Sequence, residues 1–169
     1  MQNRNIQFQV EGNTDKVLLS IFHIHQKFVH NNGGNSGVAR AMKNQLRLYH
    51  KTIVGIVDLD KKNNPPFFNE FELVDNPDDI IYKKKPNSNQ HLIYLCCNGV
   101  ENWILKAAMS VKINPIDFNL PEYEKELKKI TQHTNISKNQ DFLDFIKIIK
   151  ERKAPAFSLL EDILNKIPG

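Results

Sequence analysis

Cysteine is scarce in this 169-residue chain: there are two, Cys96 and Cys97, side by side in an apolar run. With no second pair to complete a metal site or a staple, a zinc ribbon and a disulfide scaffold are both excluded as organising elements. Two free thiols suit a reducing, cytoplasmic compartment. Long apolar runs are also missing. No segment approaches the ~20 residues of a membrane span, and the opening MQNRNIQFQVEGN has no signal-peptide core, so the expectation is an unexported, soluble chain with no membrane partner. Neither sign of charge dominates, because 23 Lys and Arg against 19 Asp and Glu leave a formal charge of +4. That surplus permits an anionic partner without requiring one. Glycine is thin at 7 residues, yet Gly33, Gly34 and Gly37 crowd into five positions. What remains is ordinary globular usage, 40% hydrophobic and 25% charged, which excludes wholesale disorder and fits one core burying roughly 70% of the unfolded surface.

Ile6, Phe8 and Val10 alternate with polar residues and predict a strand over 5–10, closed by Glu11-Gly12-Asn13. Thr14 is a candidate N-cap. Val17, Leu18, Ile21, Phe22, His25 and Phe28 then follow the three-and-four spacing of one helix face. A short strand is expected at Phe28-Val29, a loop at 31–37, and a helix capped by Ser36 that runs to about Tyr49. Thr52 to Val57 is a continuous β-branched run, the pattern of a central parallel strand covered on both faces. Residues 67–89 show no clear period and predict irregular structure with a short strand at 80–82. A core strand at 91–97 and a helix at 100–111 complete an α/β unit. After Asn114-Pro115 the pattern turns helical, with helices over 122–132, 140–151 and from Pro155 to before Pro168. The expected architecture is α/β with a mostly parallel central sheet flanked by helices, residues 1–112 forming the α/β domain and 113–169 an all-helical extension packed on the same core.

Ligands of open parallel sheets gather beyond the carboxyl ends of the strands, and there the chain places acids: Glu11 after the first strand, Asp58 and Asp60 after the strand at 52–57. If the chain stays extended through Leu59, the period of two turns both aspartates to one side. Ionised carboxylates so close repel unless protons or a cation compensate them, and a hard cation such as Mg2+ suits an oxygen cage. Strand-end acids also cap turns in solvent, so a lone D-x-D decides little. Glu101, behind Gly99, either joins the cluster or stabilises a helix N-terminus. Trp103 either stacks on a base or belongs to the core.

With those residues in hand, QFQVEGNTDKVLLSIF resembles the first strand, Glu-Gly turn and helix of Toprim domains, and TIVGIVDLDKK resembles their D-x-D strand. Toprim domains occur in topoisomerases, primases and OLD-type nucleases. The resemblance implies Mg2+-dependent chemistry on phosphodiesters, with Mn2+ as a substitute ion and DNA or RNA as partner. It implies that Glu11 serves as acid/base or metal ligand, that Asp58 and Asp60 are the metal pair, and that Asp15 is the further acid of the Glu-Gly-x-x-Asp form. Glu101 is a candidate additional ligand. The Gly33-Gly34 loop is similar to the glycine turn before the second helix of the OLD-like subgroup. Gly12, Gly33 and Gly34 are the candidate backbone contacts to phosphate, with Lys61 and Lys62 as the best-placed cations; Lys83 to Lys85 extend that track or form a solvated loop.

The chain departs from the larger members as well. It has no cysteine-rich zinc module, no tyrosine-bearing strand-passage domain and no G-x-x-x-x-G-K motif. Two functions therefore stand side by side: a nuclease-like hydrolase, and a non-catalytic Toprim-like module that binds nucleic acid or protein beside a separately encoded ATPase. A D-x-D phosphatase of the haloacid dehalogenase type ranks below both, since its D-x-D sits on an N-terminal strand before Gly-Thr and this one precedes Lys61-Lys62.

Overall fold

The alternating Ile6, Phe8 and Val10 form strand β1 (Ile6–Val10) in the structure, a computed structural model that describes residues 5–60 and 62–169. Helix α1 (Asn13–Ser20), strand β2 (Val29–Asn31), helix α2 (Asn35–Asn44) and strand β3 (Thr52–Asp58) follow. Strands β4 (Glu72–Asp75), β5 (Ile80–Lys84) and β6 (Gln90–Leu95) come next. Helices α3 (Val100–Ser110), α4 (Glu124–Thr131), α5 (Gln140–Glu151) and α6 (Pro155–Lys166) close the chain. All six strands lie in one sheet of order β2-β1-β3-β6-β5-β4. The pairs from β2 to β6 are parallel, while β5 and β4 add antiparallel at one edge. The fold is α/β with a mostly parallel sheet, and the part beyond residue 113 is helical.

Strand β3 shows why the sheet holds. Its unbroken β-branched sequence serves two faces: Val54 and Ile56 enter one core with α1, α3, α5 and α6, whereas Ile53 and Val57 enter a second with α2 and the Phe67, Phe68 and Phe71 cluster. Each of those four side chains is at most 1% exposed, a burial worth about 1.5–3 kcal/mol apiece before entropy is counted. The helices beyond residue 113 join the first core. Trp103 of α3 stacks on Phe157 of α6 with ring centroids 5.2 Å apart, so this tryptophan is core, 1% exposed, and not a platform for a base.

Several expectations need correction. Helix α1 stops at Ser20 because the chain turns at His23, in the left-handed region at φ 61°; the apolar spacing continues because Ile21 and Phe22 are buried in the turn itself. The N-cap is Gly12, two residues before Thr14, and Gly34 rather than Ser36 caps α2, which ends at Asn44. Residues 67–89 are more regular than expected, holding β4, β5 and a 3-10 turn over 66–70. Strand β4 left no alternation to read because all four of its residues are exposed. No helix among the described residues is long and apolar enough to cross a membrane.

The glycine loop is built on a close approach. A Cβ on Gly37 would sit 1.8 Å from the carbonyl oxygen of Asn32, backbone that has no room to retreat. Gly37→Ala is expected to destabilise the protein by about 1–3 kcal/mol or more in urea melts. Gly33→Ala meets no neighbour within 4 Å and is expected to lose only the roughly 1–2 kcal/mol of a left-handed residue.

Candidate functional site

The parallel strands β1, β3 and β6 end together, and a cleft of about 960 Å3 opens beyond them. Glu11 stands one residue past β1 and Asp58 is the last residue of β3. The register that pairs Val10 with Ile56 carries Glu11 to within one position of Asp58, and the Asp58 backbone N–H donates to Glu11 Oε2 at 3.0 Å. Both line the cleft, together with Gly33, Gly34, Asp60, Lys62, Gly99 and Lys128.

Burial is the main force on these acids. It raises the Glu11 carboxyl above its usual range; the bonds with Asp58 offset part of that rise and the charge of Asp60 adds to it. Burial, and then the neighbouring charges of Glu11 and Glu101, push Asp58 up to about 7. Asp15 lies behind them, 4% exposed; burial first, then Asp58 and Glu11, hold its carboxyl well above the ordinary value. Its Oδ2 accepts the Gly12 N–H at 3.0 Å and steadies the Glu-Gly turn. Asp15 Oδ1 and Asp58 Oδ1 are buried with no hydrogen-bond partner among the described residues, and an orphaned buried acceptor is costly to leave unmet.

Asp60 behaves differently. The strand ends at Asp58, so the extended geometry that would carry both aspartates to one side stops short. Asp60 Oδ2 accepts the Asn63 side-chain amide at 2.9 Å, and Oδ1 accepts the Lys62 N–H at 2.9 Å and the Asn63 N–H at 3.3 Å. Those bonds, the Asn63 amide first, lower its pKa. Asp60 reaches the cleft rim while its oxygens serve its own loop.

Glu101 sits in the first turn of α3, 4% exposed. Its Oε1 accepts the Thr131 hydroxyl at 2.6 Å and the Thr14 hydroxyl at 3.0 Å. The preceding Gly99 has φ 130°, a conformation that only glycine adopts readily. A Cβ placed there would lie 3.4 Å from Glu124 Oε1, 3.8 Å from Glu101 Oε2 and 4.0 Å from Asp58 Oδ2. Three carboxylate oxygens thus face one small space.

The glycine loop is stitched to the same edge. Gly34 N–H donates to the Glu11 carbonyl at 3.0 Å and Asn32 N–H to the Val10 carbonyl at 2.9 Å, which sets the N-terminus of α2 at the cleft with backbone donors an anion can use. Lys62 is exposed on the rim; Lys61 lies outside the described residues. Lys83 to Lys85 are elsewhere: Lys83 lies over the Tyr94 ring and Lys85 pairs with Glu70 at 2.6 Å. Cys96 and Cys97 line the cleft as free thiols. Burial pushes Cys96 up to about 11 and raises Cys97 too, so neither is an activated nucleophile at neutral pH.

Sequence reasoning placed helix α4, within the expected 122–132, but missed its part in the site. Lys128 lines the cleft and its charge lowers the pKa of both Glu11 and Asp58. Thr131, one turn on, is fully buried against Glu101. The i, i+3 spacing puts both on one face, but a Lys and a Thr in a charged helix carry no motif.

Among the described residues no three of His, Cys, Asp and Glu form a ready-made metal-binding group. Mg2+ does not need one, since it commonly takes one or two carboxylates and completes its shell with water and substrate phosphate. The Glu11–Asp58 pair, with a buried acceptor unmet and each pKa raised by burial, fits that requirement.

A carboxyl whose pKa rises from 3.8 to about 7 on folding stabilises the protein below pH 4, and that contribution is lost as pH climbs through 7. Asp58→Asn should therefore gain on the wild type between pH 4.5 and pH 8 in chelator-treated thermal melts, each pKa unit being worth about 1.4 kcal/mol. Equal differences in stability at the two pH values would remove Asp58 as the strained group.

Compared with known proteins, the chain matches no family model, no curated protein and no solved structure.

Proposed function

We propose that the chain is a small Toprim-like protein that hydrolyses or transfers phosphodiester bonds of nucleic acid with Mg2+, or Mn2+ in its place. The observation that carries this reading is the pairing of Glu11 with Asp58 at the shared ends of β1 and β3: a hydrogen bond of 3.0 Å joins them and the Asp58 carboxyl is pushed up to about 7. Carboxylates crowded in that way are relieved by a divalent cation. The resemblance of the Glu-Gly and D-x-D segments to Toprim domains supports the same reading, as does the α/β sheet on which both strands are central neighbours.

Glu11, Asp58 and Glu101 would hold the ion, with Asp15 behind them. The chemistry Mg2+ supplies in such a site is an acidified water and neutralisation of charge on the phosphate. The chain's own residues do the rest. Lys128 and Lys62 flank the cleft and draw the phosphate backbone toward the acids. The N–H groups at the start of α2 orient phosphate oxygens. A Glu11 carboxyl raised by burial is a stronger proton acceptor than a solvated carboxylate.

A second reading, a non-catalytic module that binds nucleic acid or protein beside a separate ATPase, is favoured by one observation: Asp60 spends its oxygens on Asn63 and Lys62.

The wild-type protein is expected to nick supercoiled plasmid or cut single-stranded DNA or RNA oligonucleotides with Mg2+ or Mn2+, and Asp58→Ala and Glu11→Ala to fall to background. Cleavage that survives both substitutions would overturn the hydrolase. Calorimetry separates the second reading, since a folded protein that binds nucleic acid with no affinity for Mg2+ is the binding module.

A further inference from the structure

We infer that helix α4 is a working part of the cation site, with Thr131 the positioning residue that sets Glu101 in its coordinating orientation; this rests on the reading of Glu11, Asp58 and Glu101 as a divalent-cation cage. Glu101 is 4% exposed and forms no ion pair among the described residues. A carboxylate kept out of water is expected to gather donors on both of its oxygens. Glu101 does not. Both of its donors converge on Oε1, Thr131 at 2.6 Å and Thr14 at 3.0 Å, while Oε2 accepts no hydrogen bond among the described residues and faces the space beside Gly99 shared with Asp58 Oδ2.

Two hydroxyls arriving from different helices, α1 and α4, pin one oxygen and thereby aim the other. Thr131 is fully buried, so its hydroxyl has no solvent alternative to this bond. A donor that holds a ligating carboxylate is a second layer of the site, and loss of such partners typically weakens metal binding 10–100-fold. The helical extension thus does more than cover the sheet: it supplies the bond that aims Glu101.

The test is Mn2+ titration of the full chain by isothermal calorimetry, with melting temperature as the folding control. Thr131→Val keeps the shape and removes the donor, and is expected to bind Mn2+ 10–100-fold more weakly. Thr131→Ser restores the hydroxyl and is expected to stay close to wild type. Thr14→Val, which removes the longer bond to the same oxygen, gives a smaller loss and serves as the second variant if Thr131→Val does not fold. Wild-type affinity in Thr131→Val, or in a folded Thr14→Val where the former fails, overturns the positioning role and leaves the cation reading standing. A wild-type protein that takes no Mn2+ overturns both.

Discussion

Carboxylates out of water, close together, and short of donors are the constraint around which one end of this molecule is arranged. Glu11, Asp15, Asp58 and Glu101 meet where three parallel strands end, and three of the four carboxyls are held by donors among the described residues. Asp58 offers its own backbone N–H to Glu11, Gly12 offers one to Asp15, and two threonine hydroxyls serve Glu101. These bonds offset only part of the desolvation, since two acceptor oxygens remain unmet. The remaining desolvation is a cost the fold carries at the strand ends, and it raises the pKa of Glu11, Asp15 and Asp58 together.

The large core is what makes that arrangement tolerable. Val54 and Ile56 on one side of β3, and Ile53 and Val57 on the other, anchor the sheet to helices on both faces. The helices beyond residue 113 are bound into the same apolar cluster through Phe142, Phe145, Ile149 and Phe157. Leu127 buries α4 in that same cluster, so Lys128 can be presented to the cleft and Thr131 to Glu101 from a segment distant in sequence.

Much of this was legible beforehand. The β-branched run at 52–57 announced a strand covered on both faces, and the strand-end positions of Glu11 and Asp58 followed from the periods of their flanks. Other features left no signal. Strand β4 is exposed on every residue, so no period of two marks it. The end of α1 is masked because apolar spacing persists through a turn. The direction of Asp60 depended on one more residue of strand than β3 has, and although it reaches the cleft its oxygens accept from Asn63 and Lys62. Thr131 is invisible to local reading, since its partner Glu101 lies 30 residues away and no short motif spans that separation.

The outer strand β4 has a consequence for how copies of the protein behave at high concentration. It is four residues long, carries Glu72 and Asp75, and its pairing to β5 slips between Leu73 and Asp75. A short, acidic, kinked margin is a poor template for another β-strand, because like charges oppose and the bulge breaks the ladder of donors and acceptors. Leu73 and Val74 can therefore stand 61% and 54% exposed on that margin with little tendency to recruit a neighbouring molecule into a growing sheet.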